Sequence, residues 1–177
     1  RTLLFGLRPL ALETQALVSA LQVFVDRRQN DILEGNTRLT LKTKSIHDDD
    51  SISRQADKVE GAIFSIVQEA VNNAIKHARA NKIEVEVEET FTSIYTVIAD
   101  DGDGFDVEEI MKNYEERGSL GMLNIRERAE LVGGELDLES APAQGTRVSV
   151  RVPKAVEERM KKRGVTGQLS LPLKSLS

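Results

Sequence analysis

Glu69, Asn72, Asn73 and Lys76 place a carboxylate, two amides and an ammonium within two helical turns of one another. Read at about 100° per residue, they share one side of a helix, while Ile63, Val67, Ala70, Val71, Ala74 and Ala78 share the other. Glu69 and Asn73 stand one turn apart. Magnesium takes hard oxygen ligands in octahedral geometry, keeps several waters and shares its remaining positions with substrate phosphates. An amide oxygen, a carboxylate holding a water and a lysine reaching a phosphate would suit Mg-ATP. A merely solvated helix face would carry the same residues, so the choice between the two rests on residues further along the chain.

Two glycine pairs lie there. In Ala99-Asp100-Asp101-Gly102-Asp103-Gly104-Phe105, glycines at alternate positions let the backbone turn and approach a ligand closely. An aspartate at a strand end beside such a turn can accept a hydrogen bond from an exocyclic amine such as adenine N6. A plain acidic turn is the other reading; a calcium loop fits badly, because Phe105 and Val107 fall where ligands belong. Gly118-Ser119-Leu120-Gly121-Met122 precedes a helix, and glycines opening a helix expose free N–H groups and its positive dipole end, the usual seat of a phosphate. An ordinary flexible connection would look the same. Gly145-Thr146 lies where a turn re-enters a strand, and a turn glycine is its simplest explanation.

The elements that must position these residues are legible from periodicity. Leu12 to Val25 has helical spacing through Leu17, Leu21 and Phe24. Leu39-Thr40-Leu41 suggests a short strand, and Ser45 to Ser53 a polar loop containing His47, which belongs to no constellation. The central helix is expected from Gln55 to Ala78. Lys82 to Glu88 alternates strictly, with Ile83, Val85 and Val87 against Glu84, Glu86 and Glu88, a half-buried strand with a wet face. Phe91 to Ala99 forms a second strand, joined to the first through a tight turn at Thr90 to Ser93 and therefore antiparallel. Gly134 to Ser140 and Thr146 to Val152 make another pair, with a helix from Gly121 to Val132 before them. The pattern predicts an α+β fold, a two-layer α/β sandwich with helices on one face of a mixed, mostly antiparallel sheet. The charged Asp106 to Arg117 stretch is expected to be a lid over the nucleotide.

Composition sets limits. The 177 residues suit one domain with room for a small appendage, and 40% hydrophobic content supports a core of Ile, Val, Leu and Ala. A net charge of −5 argues against a general nucleic-acid binder. With no cysteine, disulfides, thiolate metal sites and cysteine catalysis are excluded. No stretch reaches the ~18 apolar residues of a membrane span, and no signal peptide is visible. The chain opens at Arg1 in what reads as the middle of a helix and is expected to be a piece of a longer protein.

The ordered set Glu69-x-x-x-Asn73, Asp100-x-Gly102-x-Gly104, Gly118-x-x-Gly121 and Gly145-Thr146 resembles the N, G1 and G2 boxes and terminal Gly-Thr of the histidine-kinase catalytic domain. That domain, of the Bergerat ATP-binding fold, belongs to the superfamily shared with gyrase, the Hsp90 chaperones and MutL. Gln68-Glu69-Ala70, Asn73-Ala74-Ile75-Lys76-His77-Ala78 and Gly121-Met122-x-x-Ile125-Arg126-Glu127-Arg128-Ala129 are similar to the NarL-type, DegS-like sensor kinases. Leu4-x-x-Leu7-Arg8-Pro9-Leu10 looks like their join to the dimerisation helix. The resemblance implies Asn73 as a magnesium ligand and Glu69 as holder of a metal-bound water or activator of the acceptor. Lys76 and His77 would lie at the phosphates, and Asp100 would read adenine N6. Gly102 and Gly104 would let the loop reach the base. Gly118 and Gly121 would hinge the lid and admit the phosphates, and Thr146 would support the Asp100 end.

On this resemblance residues 1–30 hold the end of a dimerisation helix and a connector, 31–153 the ATP-binding catalytic domain and 154–177 a polar tail. ATP and Mg2+ are the implied cofactors. The implied partners are an upstream dimerisation and phosphoacceptor domain of the same protein, homodimeric in the parent, and a response regulator; neither nucleic acid nor direct membrane contact is expected, and the domain would be cytoplasmic. Two departures qualify the match. Neither His47 nor His77 corresponds to a phosphoacceptor, so the chain is expected to bind ATP without labelling itself, and Ala16 stands where the family usually has Gly. The alternative is an anti-sigma serine kinase with the same ATP fold, which would not need the Leu-Arg-Pro connector. The short span from Phe105 to Gly118 disfavours a chaperone or topoisomerase module.

Overall fold

The computed structural model describes residues 12, 16–32, 36–47, 51–112 and 120–154. The expected connector before residue 12, Gly118, residues 113–117 of the expected lid and the tail from residue 155 lie outside them. Helix α1, Leu17–Asp31, buries Leu17, Ala20, Leu21, Phe24 and Val25. It starts later and ends later than apolar spacing suggested. Ala16 is extended at ψ 157°, which forces a fresh start at Leu17, and Asp26 to Asp31 continue the helix with polar residues that periodicity of burial does not register. Phe24 meets Phe64 edge to face at 6.0 Å, docking α1 on the central helix.

That central helix, α2 (Asp57–Asn73), does not continue as α-helix to Ala78. It passes into a π-helical turn, Ala74–Ala78. Its burial is also broader than one stripe: Ile66 and Glu60 are as inaccessible as Ile63 and Val67, because α2 packs against the sheet and two further helices.

Strands β1 (Arg38–Lys44), β2 (Lys82–Glu89), β3 (Ser93–Asp100), β4 (Glu135–Ser140) and β5 (Thr146–Pro153) form one sheet in the order β1-β2-β3-β5-β4. Only β1 and β2 run parallel. The expected hairpin turn is present, with the Thr90 N–H donating to Ser93 O at 2.9 Å. Helix α3 (Val107–Lys112) and helix α4 (Leu120–Leu131) complete the described elements, and α4 packs against α2.

Register decides which side chains meet. The alternation Val85–Ile98–Val148–Leu138 runs across four strands on the helix-covered face. One row nearer the strand ends, Ile83, Asp100, Thr146 and Ser140 stand side by side on that same face. The opposite face is charged and solvated, as Glu84, Glu86 and Glu88 predicted, with ion pairs Lys42–Glu84 at 3.0 Å and Lys44–Glu88 at 3.1 Å. Among the described residues no helix is long and apolar enough to cross a membrane.

Candidate functional site

A cavity of about 490 Å3 opens between α2, the sheet and the start of α4, a volume ordinary for small-molecule sites. Ala70, Ala74 and Ala78 form its helical wall, and Ile98 and Val148 from β3 and β5 its apolar floor. Small residues on the helix and β-branched ones on the strands leave a flat slot between the two layers, a shape suited to a planar ring.

At one end stands Asp100, half-buried at the close of β3. Its Oδ1 accepts the Gly102 N–H at 2.9 Å, and the Thr146 N–H also bonds to the carboxylate. Burial pushes this carboxyl above the ordinary range; those two N–H donors pull it back, and the neighbouring Asp101 charge pushes the same way as burial. Asp101 itself points away, accepting the Asn81 and Lys82 N–H groups at 2.8 Å each and so capping the start of β2.

Gly102 and Gly104 are explained by protein contacts. A Cβ on Gly102 would lie 2.1 Å from the Ala78 carbonyl oxygen, and one on Gly104, at φ +60°, 2.1 Å from that of Ala141. The loop is thereby pressed between the helix end and the β4–β5 turn, and Asp103 is fastened there by its N–H to Ala78 O at 2.7 Å. Gly104 lines the cavity; Gly102 is set behind its wall.

At the other end Glu69 and Asn73 project from α2 and Gly121 faces them from α4. A Cβ on Gly121 would stand 2.6 Å from Glu69 Oε1 and 3.0 Å from Asn73 Nδ2. Gly121 is therefore the second residue of a helix packed on this pair, close to where the sequence expected that helix to begin. His77 lines the cavity and Lys76, though exposed, does not. The π-helical turn accounts for this: its wider i→i+5 winding breaks the angular relation to Asn73 that a continuous α-helix would impose. Asn72 is likewise not in the wall.

Among the described residues no group of three or more His, Cys, Asp or Glu side chains could hold a metal by itself. An amide and a carboxylate are nonetheless the hard oxygen donors magnesium uses when phosphates and waters supply the rest of its shell, so the residues present fit that ion.

Ser140 was not anticipated. Its Oγ accepts the Phe105 N–H at 2.9 Å, donates to Gly145 O at 2.9 Å and lies 3.2 Å from Thr146 Oγ1. The signal was available: in the alternation Leu136, Leu138, Ser140, a hydroxyl takes an inward position at a strand end. Phe105 and Met122, also in the wall, carried no such signal.

Comparison with known proteins agrees with this geometry. Residues 58–156 match the model of the histidine kinase-, DNA gyrase B- and HSP90-like ATPases. The chain is 47% identical over 154 residues, 86% of its length, to a sensor-like histidine kinase of Chloroflexus aurantiacus. It is 32% identical over 158 residues, 89% of its length, to the signal transduction histidine-protein kinase/phosphatase DegS of Brevibacillus brevis. It spans 25% and 38% of the length of these two curated relatives. In fold it is similar to the histidine kinase domain of the blue-light activated histidine kinase from Erythrobacter litoralis EL346, with a TM-score of 0.62 and 18% identity over 82% of this chain and 68% of that one. An α+β sandwich with its inner cavity at the ends of β3 and β5, matched over more than half its length by one family model, identifies this chain as a member of the histidine kinase-, DNA gyrase B- and HSP90-like ATPase family.

Proposed function

We propose that the chain is the ATP-binding catalytic domain of a two-component sensor histidine kinase. It transfers the γ-phosphoryl group of ATP to a histidine on an upstream dimerisation domain of the same protein, from which an aspartate of a response regulator receives it. The observation that carries this reading is one cavity joining a buried acceptor, Asp100, to an oxygen-donor pair, Glu69 and Asn73.

In this reading adenine lies in the slot with its 6-amino group at Asp100. Thr146 supports that end, while His77 and Gly118 serve the phosphates and Lys76, exposed just outside the cavity wall, would reach them with its long side chain. Asn73 and Glu69 would hold Mg2+, Glu69 through a water; the ion would neutralise triphosphate charge. Phosphoryl transfer asks mainly for positioning and charge compensation, so this short inventory suffices. Residues 1–30 would form the end of the dimerisation helix and the connector, and 154–177 a polar tail. The domain would work in the cytoplasm.

Neither histidine of the chain is an acceptor on this reading. His77 lines the nucleotide cavity, and His47 sits 2.8 Å from Ser53 Oγ, on a different loop. With γ-labelled ATP the 177-residue chain should label a supplied histidine phosphoacceptor domain and not itself. Calorimetry should detect Mg-ATP binding, and Asn73→Ala should abolish the gain in affinity that magnesium confers, about tenfold or more. Absence of adenine-nucleotide uptake, with or without the metal, would overturn the proposal.

A further inference from the structure

Ser140, Thr146 and Asp100 are neighbours in one cross-strand row on the cavity face of the sheet. A serine hydroxyl has one proton to donate and two lone pairs to accept with. Gly145 O, at 2.9 Å, is a carbonyl and only accepts, so it takes the Ser140 proton. The Phe105 N–H, at 2.9 Å, occupies one lone pair. The remaining lone pair faces Thr146 Oγ1 at 3.2 Å, and that contact is a hydrogen bond only when the threonine donates. The Thr146 proton is then committed to Ser140, and its hydroxyl offers the cavity lone pairs alone. Beside it the Asp100 carboxylate also only accepts.

We propose that Ser140 is a specificity-determining residue: by fixing the polarity of the Thr146 hydroxyl it makes the Asp100 end of the cavity acceptor-only, matched to a 6-aminopurine and set against a 6-oxopurine. The inference rests on the adenine-nucleotide reading and adds to it. Asp100 by itself discriminates poorly, because a carboxylate also accepts from the N1–H of a 6-oxopurine. A free threonine hydroxyl would compound this, since it rotates to donate to the 6-oxo oxygen as readily as it accepts from an amine. Ser140 removes that freedom without touching the base, so it is a positioning residue. A buried donor or acceptor left opposed to its own kind is costly, which is how such a site rejects the wrong edge.

The test compares ATP with inosine triphosphate, which differs at the purine 6-position, by calorimetry on the full chain. Wild type should prefer ATP. Ser140→Ala should weaken ATP about threefold and tighten inosine triphosphate about threefold, narrowing the ratio about tenfold, the equivalent of one hydrogen bond. The gain for inosine triphosphate is the decisive reading, because a loosened turn would weaken both nucleotides together. Ser140→Thr, which keeps the hydroxyl, should keep the wild-type ratio. Should Ser140→Ala fail to fold, Ser140→Cys, whose sulfur is the weaker acceptor for the Thr146 proton, must narrow the ratio in the same direction. Equal losses for both nucleotides, or an unchanged ratio, would overturn the role of Ser140 while leaving nucleotide binding intact. A wild type that binds neither nucleotide would overturn the nucleotide reading and this inference with it.

Discussion

Replacing Gly121 by alanine should separate folding from phosphoryl transfer. The φ of Gly121 is not positive, so the backbone accepts an L residue. The new Cβ would lie 2.6 Å from Glu69 Oε1, against 3.4 Å for the closest ordinary contact. The carboxylate must therefore withdraw by about 0.8 Å, and the Asn73 amide, 3.0 Å away, by about half as much. Both are ends of flexible side chains, so the displacement costs folding about 1 kcal/mol of rotamer strain. The helix propensity of alanine over glycine returns about 0.5–1 kcal/mol. Net stability should stay within about 1 kcal/mol of wild type, a melting shift of no more than about 4 °C. Function should not be spared, since a misplacement near 1 Å at a reacting centre costs roughly 100-fold. Thermal melting and transfer of label from Mg-ATP to a supplied phosphoacceptor domain read the two effects. Gly61→Ala, on the same α2 helix with nothing within 4 Å of the added carbon, is the control and should stabilise the chain with transfer unchanged. Wild-type transfer by Gly121→Ala would refute the assignment of Glu69 and Asn73, and loss of folding would refute the view that only side chains need move.

Burial raises the Asp100 carboxyl, so the folded state holds that proton more tightly than the unfolded chain and the group's favourable contribution is lost as pH rises through its folded pKa. Asp100→Asn should then melt above wild type at pH 7, the gap closing as pH falls below about 4, while calorimetry finds adenine-nucleotide binding lost. Glu89 has the opposite sign. Burial acts to raise it, yet the ion pair with Lys154 and hydrogen bonds from Ser53 outweigh burial and lower it, so its stabilisation is present above the usual carboxylate pKa and lost on acidification. Lys154→Met should cost about 3 kcal/mol at pH 7 by stranding a buried carboxylate, and should flatten the acid limb of the melting curve. Gly145 and Gly133 both have positive φ, but a Cβ on Gly145 would lie 2.0 Å from the Asp100 carbonyl oxygen whereas nothing lies within 4 Å of one on Gly133. Gly133→Ala should therefore cost about 1–2 kcal/mol in denaturant melts, and Gly145→Ala several times as much.

The strands were legible because their alternation is strict: Ile83, Val85 and Val87 in β2 and Val148, Val150 and Val152 in β5 turn inward, with polar residues between them facing out. Glu69 and Asn73 were legible as polar residues one turn apart on one side of a helix, and Asp100 as a carboxylate at a strand end beside two glycines. The glycines were legible as positions and not as reasons. Gly102 and Gly121 stand against an Ala78 carbonyl and a Glu69 carboxylate, contacts made across distant parts of the chain. The π-helical turn was invisible for a related cause. Ala-Ile-Lys-His-Ala is compatible with either winding, and the hydrogen bonds and contacts that hold this one lie around it: Asp103 bonds to the Ala78 carbonyl, and Arg79 follows at φ 49°. Lys76 was assigned to the cavity by an angle that this turn changes.

The two ends of the cavity are built by different means, and that difference decides how each substitution is felt. The Asp100 end is tied through main-chain N–H groups: Gly102 donates to Asp100 Oδ1, Asp103 to Ala78 O, Ala143 to Asp103 O at 2.6 Å and Phe105 to Ser140 Oγ. Each of those bonds joins a loop to a strand end, a helix end or another loop, so a glycine substitution there moves main chain and is registered as stability. The Glu69–Asn73 end is two side chains on α2 facing a glycine on α4, with no main-chain bond among the described residues tying one helix to the other across the site. A change there moves side chains, leaves the fold standing and is registered as rate. On the proposed reading, a site that must hold a base in one orientation and yet let a triphosphate enter and leave requires this division, rigid where the base would be read and adjustable where the phosphates would react.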